Sequence, residues 1–103
     1  MDAKYIRERI TQLRLQKGIS EYKLSYDLGH SRGYINNISS GKSLPSMAEF
    51  LSICDYFEIT PQIFFDESLS SPKEIELTLH ELSNLDEADL KMVRALVLRL
   101  RRQ

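Results

Sequence analysis

The sequence predicts an all-α fold, and three observations support this prediction. Apolar residues recur at the helical spacing of three and four positions, capping residues or glycines bound the resulting segments, and no stretch has the alternating pattern of a strand. Hydrophobic residues make up 42% and charged residues 28% of the chain, a balance typical of globular proteins. At 103 residues, we expect one compact domain with a short extension.

The first helix is predicted from Tyr5 to Lys17. Within it, Ile6, Ile10 and Leu13 have the spacing of a single buried stripe. Gly18 comes next, and glycine adopts a left-handed C-terminal cap more easily than any other residue. The helix should therefore pack on its neighbours through this stripe and end at Gly18.

The second and third helices are predicted to be short and to lie within a few residues of each other. Ser20 is a suitable N-cap for the second helix, which should end at Gly29 after about two turns. Ser31 is expected to cap the third helix, which should span about Ser31–Ser39 and end before Gly41. The apolar residues of these two helices are Leu24, Leu28, Tyr34, Ile35 and Ile38.

A loop over residues 41–45 should lead into two more helices. Ser46 and Glu49 have the spacing of a capping box, which opens the fourth helix. Thr60 as N-cap, with proline at the next position, predicts a brief fifth helix over Pro61–Phe65. The apolar residues expected in the core are Met47, Phe50, Leu51, Cys54 and Phe57 from the fourth helix, and Ile63 and Phe64 from the fifth.

A change of composition predicts a boundary after the fifth helix. The stretch DESLSSP is the only one with linker composition, so we expect a domain over residues 1–66, a linker over 67–73 and a helical segment over 74–103. In that last segment, Ile75, Leu79 and Leu82 form one apolar stripe.

The last predicted helix is capped by Asp86 and runs from Glu87 toward Arg101. Its apolar face is wider than a single small domain needs to cover. Either this segment folds back over the first domain, or it pairs with a second copy of the chain, which is the interpretation we favour. The residues expected at such a dimer interface are Leu90, Val93, Leu96, Val97 and Leu100.

Several classes of protein are not expected. There is no 18-residue apolar run, and the N-terminus is charged from its second residue, so we expect neither a membrane span nor a secretory signal, and hence a cytoplasmic protein. The single cysteine, Cys54, agrees with a reducing compartment. His30 and His80 are the only histidines, and no phosphate-cradling glycine loop occurs, so we expect no enzyme, no metal and no cofactor.

The second and third helices together have the character of a helix-turn-helix. Ser25 is small where the two helices approach, and Gly29 permits the backbone angle of the turn. The stretch SEYKLSYDLGHSRGYINNISSGKSLPS resembles the Cro and phage-repressor family of the xenobiotic-response-element type, and the likeness continues through Phe65. This resemblance implies a five-helix, lambda-repressor-like domain from a mainly bacterial and phage-borne family. It also implies that the third helix enters the major groove of double-stranded DNA, usually as a homodimer.

The resemblance also implies which residues contact DNA. Arginine can donate two hydrogen bonds to guanine, asparagine can pair with adenine, and a tyrosine ring can touch a thymine methyl group. Glycine supplies no side chain, so either it lets the helix approach DNA closely or its position is unread. The base-reading candidates are Arg32, Gly33, Tyr34, Asn36 and Asn37, and the phosphate-contact candidates are Ser20, Ser31 and Lys42.

Some features depart from the family pattern. Glu21 replaces a common glutamine, and its carboxylate would repel a phosphate; His30 and Ser39 also differ from the usual residues. The net charge is −1, but between positions 17 and 42 four basic residues stand against two acidic ones. Repression is the commoner role in the family, and a regulatory protein partner is possible. The alternative is a protein-interaction module or an antitoxin on the same scaffold, with weak or no DNA binding.

Overall fold

The structure, a computed structural model, describes residues 1–101. This part of the chain is all-α, as predicted, with five helices followed by a two-helix C-terminal segment. Arg102 and Gln103, the end of the predicted C-terminal segment, lie outside the described residues. The helices are α1 (Ala3–Lys17), α2 (Glu21–Asp27), α3 (Tyr34–Ser39), α4 (Met47–Phe57), α5 (Pro61–Phe64), α6 (Pro72–Leu82) and α7 (Glu87–Leu100).

Local capping signals set most of the helix ends. The predicted capping box at the start of α4 is present: the Glu49 backbone N–H donates to the Ser46 hydroxyl, and the Ser46 N–H donates to the Glu49 carboxylate. Gly18 ends α1 in the predicted left-handed conformation, with φ of 75°. Each side-chain cap contributes about 1 kcal/mol to stability. The predicted N-caps of α2, α5 and α7 are likewise confirmed as Ser20, Thr60 and Asp86.

The third helix begins later than the sequence predicts. It starts at Tyr34, and Gly33 is its N-cap with no side-chain cap hydrogen bond, so the prediction that Ser31 caps a helix over Ser31–Ser39 is wrong. Residues 31–33 form a turn, in which the Tyr34 N–H donates to the Ser31 carbonyl at 3.0 Å. The Ser25 hydroxyl of α2 accepts a hydrogen bond from the Ile35 N–H, so a distant side chain satisfies this helix-start amide.

The hydrophobic core lies among the first five helices. Phe64 of α5 is fully buried, and its ring packs edge to face on that of Phe50, with centroids 4.9 Å apart. Burying such a side chain contributes about 1.5–3 kcal/mol. The other buried apolar residues are Ile10, Leu13, Leu24, Ile35, Ile38, Ile53, Cys54, Phe57, Ile59 and Ile63.

One part of the predicted core is wrong. Met47 and Leu51 are 73% and 46% exposed, whereas Ile53 is fully buried. The buried side of α4 carries Phe50 and Phe57, which lie two turns apart, and Ile53, which lies about one turn after Phe50. Met47 and Leu51 lie on its flank, so an apolar residue type alone does not decide which α4 side chains enter the core.

Arg9, a buried residue of α1, holds the segment after α5 against this helix by hydrogen bonds. Arg9 is 5% exposed and donates hydrogen bonds to the backbone carbonyls of Phe64, Asp66 and Leu69, at 3.1, 2.6 and 2.7 Å. Charge-assisted hydrogen bonds of this kind are stronger than neutral ones. Gln12 adds a contact to the Ser70 carbonyl at 2.9 Å. Residues 66–70 therefore follow the surface of α1, and the domain boundary predicted at residue 66 stays a prediction.

The last helix is uncovered in the single chain. None of its residues is buried, although α6, which precedes it, begins at the buried Pro72. None of the helices described here is long and apolar enough to cross a membrane. The large apolar side chains of α7 that stand exposed are Met92, Leu96, Val97, Leu98 and Leu100.

Candidate nucleic-acid interface

Ser25 joins α2 to α3. The side chain is fully buried, and its hydroxyl donates to the Glu21 carbonyl at 2.9 Å and accepts from the Ile35 N–H at 3.0 Å. A small residue is needed where two helix backbones approach, and a hydroxyl there also satisfies a helix-start amide. The prediction that Ser25 sits at the helix approach is confirmed, and the structure adds its bonding role.

The turn between these helices depends on Gly29. Its φ of 77° lies in the left-handed region, as the sequence predicts. The Gly29 N–H donates to the Tyr26 carbonyl, and the His30 N–H donates to the Ser25 carbonyl, both at 3.0 Å. These bonds close the end of α2 and redirect the chain toward α3.

The third helix has one buried and one exposed side. Ile35 and Ile38 are 2% and 1% exposed and hold the helix on the core. Asn36 and Asn37 are exposed, and Arg32 is exposed in the turn before the helix. Three of the predicted base readers are therefore accessible, and the two asparagines lie on a helix that cannot rotate without exposing its isoleucines.

Two other predicted base readers have different surroundings. Tyr34 is half-buried with its hydroxyl shielded near α4; burial raises the pKa of that hydroxyl, and the nearby Glu49 carboxylate raises it further. Its ring stacks on His30, with centroids 3.9 Å apart. Tyr34 can therefore contact a base with its ring but not with its hydroxyl. A Cβ added at Gly33 would meet nothing within 4 Å, so the free chain imposes no steric need for glycine there.

Glu21 lies on the same surface as Asn36. One carboxylate oxygen accepts from the Ser39 hydroxyl at 2.5 Å, and the other accepts from the Asn36 side-chain amide at 3.3 Å. The hydrogen bond from Ser39 is the main cause that lowers the pKa of Glu21, and those from Asn36 and the charge of Arg14 lower it further against the opposing effect of burial. Glu21 is therefore ionised at neutral pH and engaged with α3.

Sequence reasoning missed two residues of this surface. Arg7 of α1 donates to the Ile38 and Gly41 carbonyls at 3.0 and 3.3 Å, where a cation also suits the negative end of the helix dipole. Tyr22 is 56% exposed, and the Arg32 guanidinium lies 5.8 Å from the centre of its ring. No local pattern indicates either contact, because each joins residues at least ten positions apart in the sequence.

The basic side chains of this region differ in whether they already have a partner within the protein. Lys23 pairs with Asp27 at 3.0 Å, and Lys17 lies over the Tyr56 ring at 4.0 Å. Within residues 1–101, Arg32 and Lys42 have no ion-pair partner and are exposed. These two cations are the ones most available to a phosphate.

The predicted phosphate-contact serines also differ. The Ser20 hydroxyl accepts from the Lys23 N–H at 3.0 Å as a helix cap and can still donate a hydrogen bond outward. Ser31 is exposed in the turn before α3. Both hydroxyls can reach solvent on the side from which α2 and α3 begin.

Comparison with known proteins gives one match. A family model described as a helix-turn-helix domain matches residues 8–68, which is more than half of the chain. The matched range includes all of α2 to α5 and most of α1. No curated protein and no solved structure matches the chain.

Proposed function

Because the chain belongs to the helix-turn-helix domain family, we propose that it is a sequence-specific, DNA-binding transcriptional regulator that reads the major groove with α3 and the turn before it. One observation carries the proposal: Asn36 and Asn37 are exposed on the helix that Ile35 and Ile38 seat in the core. A rigid helix with polar side chains outward is the element that groove reading requires.

Each proposed contact has its own chemistry. Arg32 can donate two hydrogen bonds to guanine, and either asparagine can pair with adenine. Tyr34 would offer only its ring to a thymine methyl group, since its hydroxyl is buried. Lys42, Ser20 and Ser31 would contact phosphates, which position the protein without reading sequence.

We propose that the regulator acts as a homodimer through α7. Leu90, Val93, Val97 and Leu100 repeat at intervals of three, four and three residues, the spacing of a helix-pairing seam, and Leu96 adjoins it. Pairing two copies would bury this face and bring two reading helices to half-sites about 34 Å apart. The corresponding organisation is DNA binding by residues 1–66, a linker over 67–73 and dimerisation by 74–103.

Repression is the role we assign to the bound dimer. Occupying the operator is the simplest way in which a bound dimer acts, and we assign its regulation to a protein partner.

The test is salt-dependent binding to the best duplex recovered from a randomised library. Wild-type protein should bind it at least about 10³-fold more tightly than unrelated DNA. The double variant Arg32→Ala/Asn36→Ala should lose most of this preference, while Lys4→Ala, which removes a cation from α1, should keep it. Weak binding of equal strength to every duplex would instead favour the protein-interaction module or antitoxin, and a search for a protein partner would follow.

A further inference from the structure

The first residue of α2 touches the proposed reading surface through Asn36. We propose that Glu21 is a specificity-determining positioning residue, which holds the Asn36 amide so that its oxygen, not its nitrogen, is presented to the DNA base. This inference rests on the proposed function, because it concerns how α3 reads the groove. Glu21 itself touches no base in this account and acts through Asn36.

The contact divides the carboxylate between two partners on α3. Oε2 of Glu21 accepts from the Ser39 hydroxyl, and Oε1 accepts from Nδ2 of Asn36 at 3.3 Å. The Ser39 hydroxyl lies 2.5 Å from Oε2, and this hydrogen bond fixes the position of the carboxylate. Ser39 lies about one helical turn after Asn36 on α3. Asn36 therefore meets an acceptor whose position is already set.

The chemistry of a carboxylate decides which end of the amide faces it. An ionised carboxylate only accepts hydrogen bonds, whereas the asparagine amide has a donor end and an acceptor end that are nearly identical in shape. Turning the Asn36 amide over would set its oxygen against Oε1 and lose the bond. The lowered pKa of Glu21 keeps the group in the acceptor-only form at neutral pH.

An amide held in this way distinguishes two kinds of base. Adenine and cytosine present an exocyclic amino donor in the major groove, and guanine and thymine present a carbonyl acceptor at the corresponding edge. With its oxygen outward, Asn36 accepts from an amino base, and the second hydrogen of Nδ2 can still donate to N7 of adenine. The position that Asn36 reads should therefore favour adenine or cytosine.

Glutamine at position 21 is the informative variant, because it has the same shape but one donor and one acceptor end. It can bind the Asn36 amide in either orientation, so the choice between amino and keto bases should weaken. It also removes a negative charge from a surface that approaches phosphates, so binding to unrelated DNA should become equal or tighter. A residue that only supported the fold would leave the choice between amino and keto bases unchanged.

The experiment compares wild type, Glu21→Gln and a matched control, Glu81→Gln, which makes the same charge change on α6. The position read by Asn36 is first identified as the one whose base preference disappears in Asn36→Ala. All four bases are then placed there in the best duplex, and the dissociation constants are measured. Wild type and Glu81→Gln should prefer the amino bases by about tenfold, and Glu21→Gln by about threefold or less.

Each other outcome has a definite meaning. An unchanged preference in Glu21→Gln, or a preference of wild type for guanine or thymine, overturns this inference and leaves the proposed function standing. No enriched duplex at all overturns the proposed function and the inference with it. In the free protein, NMR cross-peaks between the Asn36 side-chain amide hydrogens and the Glu21 side chain test the contact without DNA, and their absence overturns the inference whatever the DNA result.

Discussion

The Ser25 hydroxyl accepts a hydrogen bond from the backbone N–H of Ile35 at 3.0 Å, so the first turn of α3 is capped from α2. Ser25 is fully buried, and Ile35 is 2% exposed. Buried backbone N–H groups almost always have a hydrogen-bond partner, because leaving one unsatisfied is costly. This bond therefore couples the position of the reading helix to the helix before it.

Ser25→Ala should destabilise the fold while keeping its shape. The substitution leaves the buried Ile35 N–H without its acceptor, which costs about 1–3 kcal/mol. Urea unfolding should show this loss, whereas Ser52→Ala on the exposed side of α4 should change the unfolding free energy by less than about 0.5 kcal/mol. Equal stability of the two variants would mean that the hydrogen bond contributes nothing.

Alanine should be tolerated at Gly33 and should destabilise the fold at Gly29. Gly33 has φ of −91° and open space around its Cβ position, so Gly33→Ala should leave the unfolding free energy unchanged within about 0.5 kcal/mol. Gly29 has φ of 77°, and alanine in that region costs about 1–2 kcal/mol.

The same Gly33 variant reports on the DNA contact. Since the free chain has no steric need for glycine at this position, we expect Gly33→Ala to weaken binding to the enriched duplex by crowding the DNA. Unchanged affinity would show that the position is unread and that no close approach occurs there.

Tyr56→Phe should flatten the dependence of stability on pH at both ends of the range. The Tyr56 hydroxyl donates to Asp27 at 2.6 Å, and this bond is the main cause that lowers the pKa of Asp27 below its ordinary value of 3.8. Burial, followed by Asp27, raises the pKa of Tyr56 from 10.0 to about 12.

The signs of these two shifts give the expected curve. The lowered pKa of Asp27 adds stability above pH 3.8 that is lost as the pH falls below it, and the raised pKa of Tyr56 adds stability below pH 10.0 that is lost toward pH 12. The difference in melting temperature between wild type and Tyr56→Phe should be largest between these limits and shrink beyond both. Tyr26→Phe, at an exposed tyrosine, should follow wild type throughout. A constant difference at every pH would contradict the assignment.

Val97→Asp should separate the proposed dimer. Val97 lies on the seam of α7 and is 49% exposed in the single chain, so aspartate can be accommodated in a monomer but not in a paired apolar interface. Sedimentation at tens of micromolar should give a dimer for wild type and a monomer for the variant. The variant should also bind the enriched duplex at least about 10²-fold more weakly, because its two half-site contacts are no longer linked.

Met92→Asp is the matched control for this prediction. Met92 belongs to the same helix and is 70% exposed, but it lies off the seam, so its substitution should leave the dimer intact. A monomeric wild-type protein, or equal dissociation by both variants, would contradict pairing through this seam.

Features that depend on neighbouring residues could be predicted from the sequence. The caps at Ser20, Ser46, Thr60 and Asp86 and the left-handed glycine at position 18 are confirmed, because each uses residues within one turn of the helix end. The helical order of the first five elements followed from the same signals.

Features that depend on distant residues could not be predicted in this way. The sequence misplaces the start of α3 because the Ile35 N–H donates to the side chain of Ser25, ten residues earlier. The side chain of Ser31 caps no amide of this helix. The carbonyl contacts of Arg9 bridge more than fifty residues, and a buried arginine has no signature in a sequence pattern. The set of DNA-contacting residues stays a prediction from the sequence, whereas the hydrogen bond between Asn36 and Glu21 could be found only in the packed structure.

The most direct test of sequence-specific DNA reading by a dimer is enrichment of a randomised duplex library on the purified full-length protein. The account predicts recovery of an inverted repeat, with half-sites about one helical turn apart, whose binding weakens steeply as the salt concentration rises. Failure to enrich any sequence, with equal and weak binding to all duplexes, would contradict it.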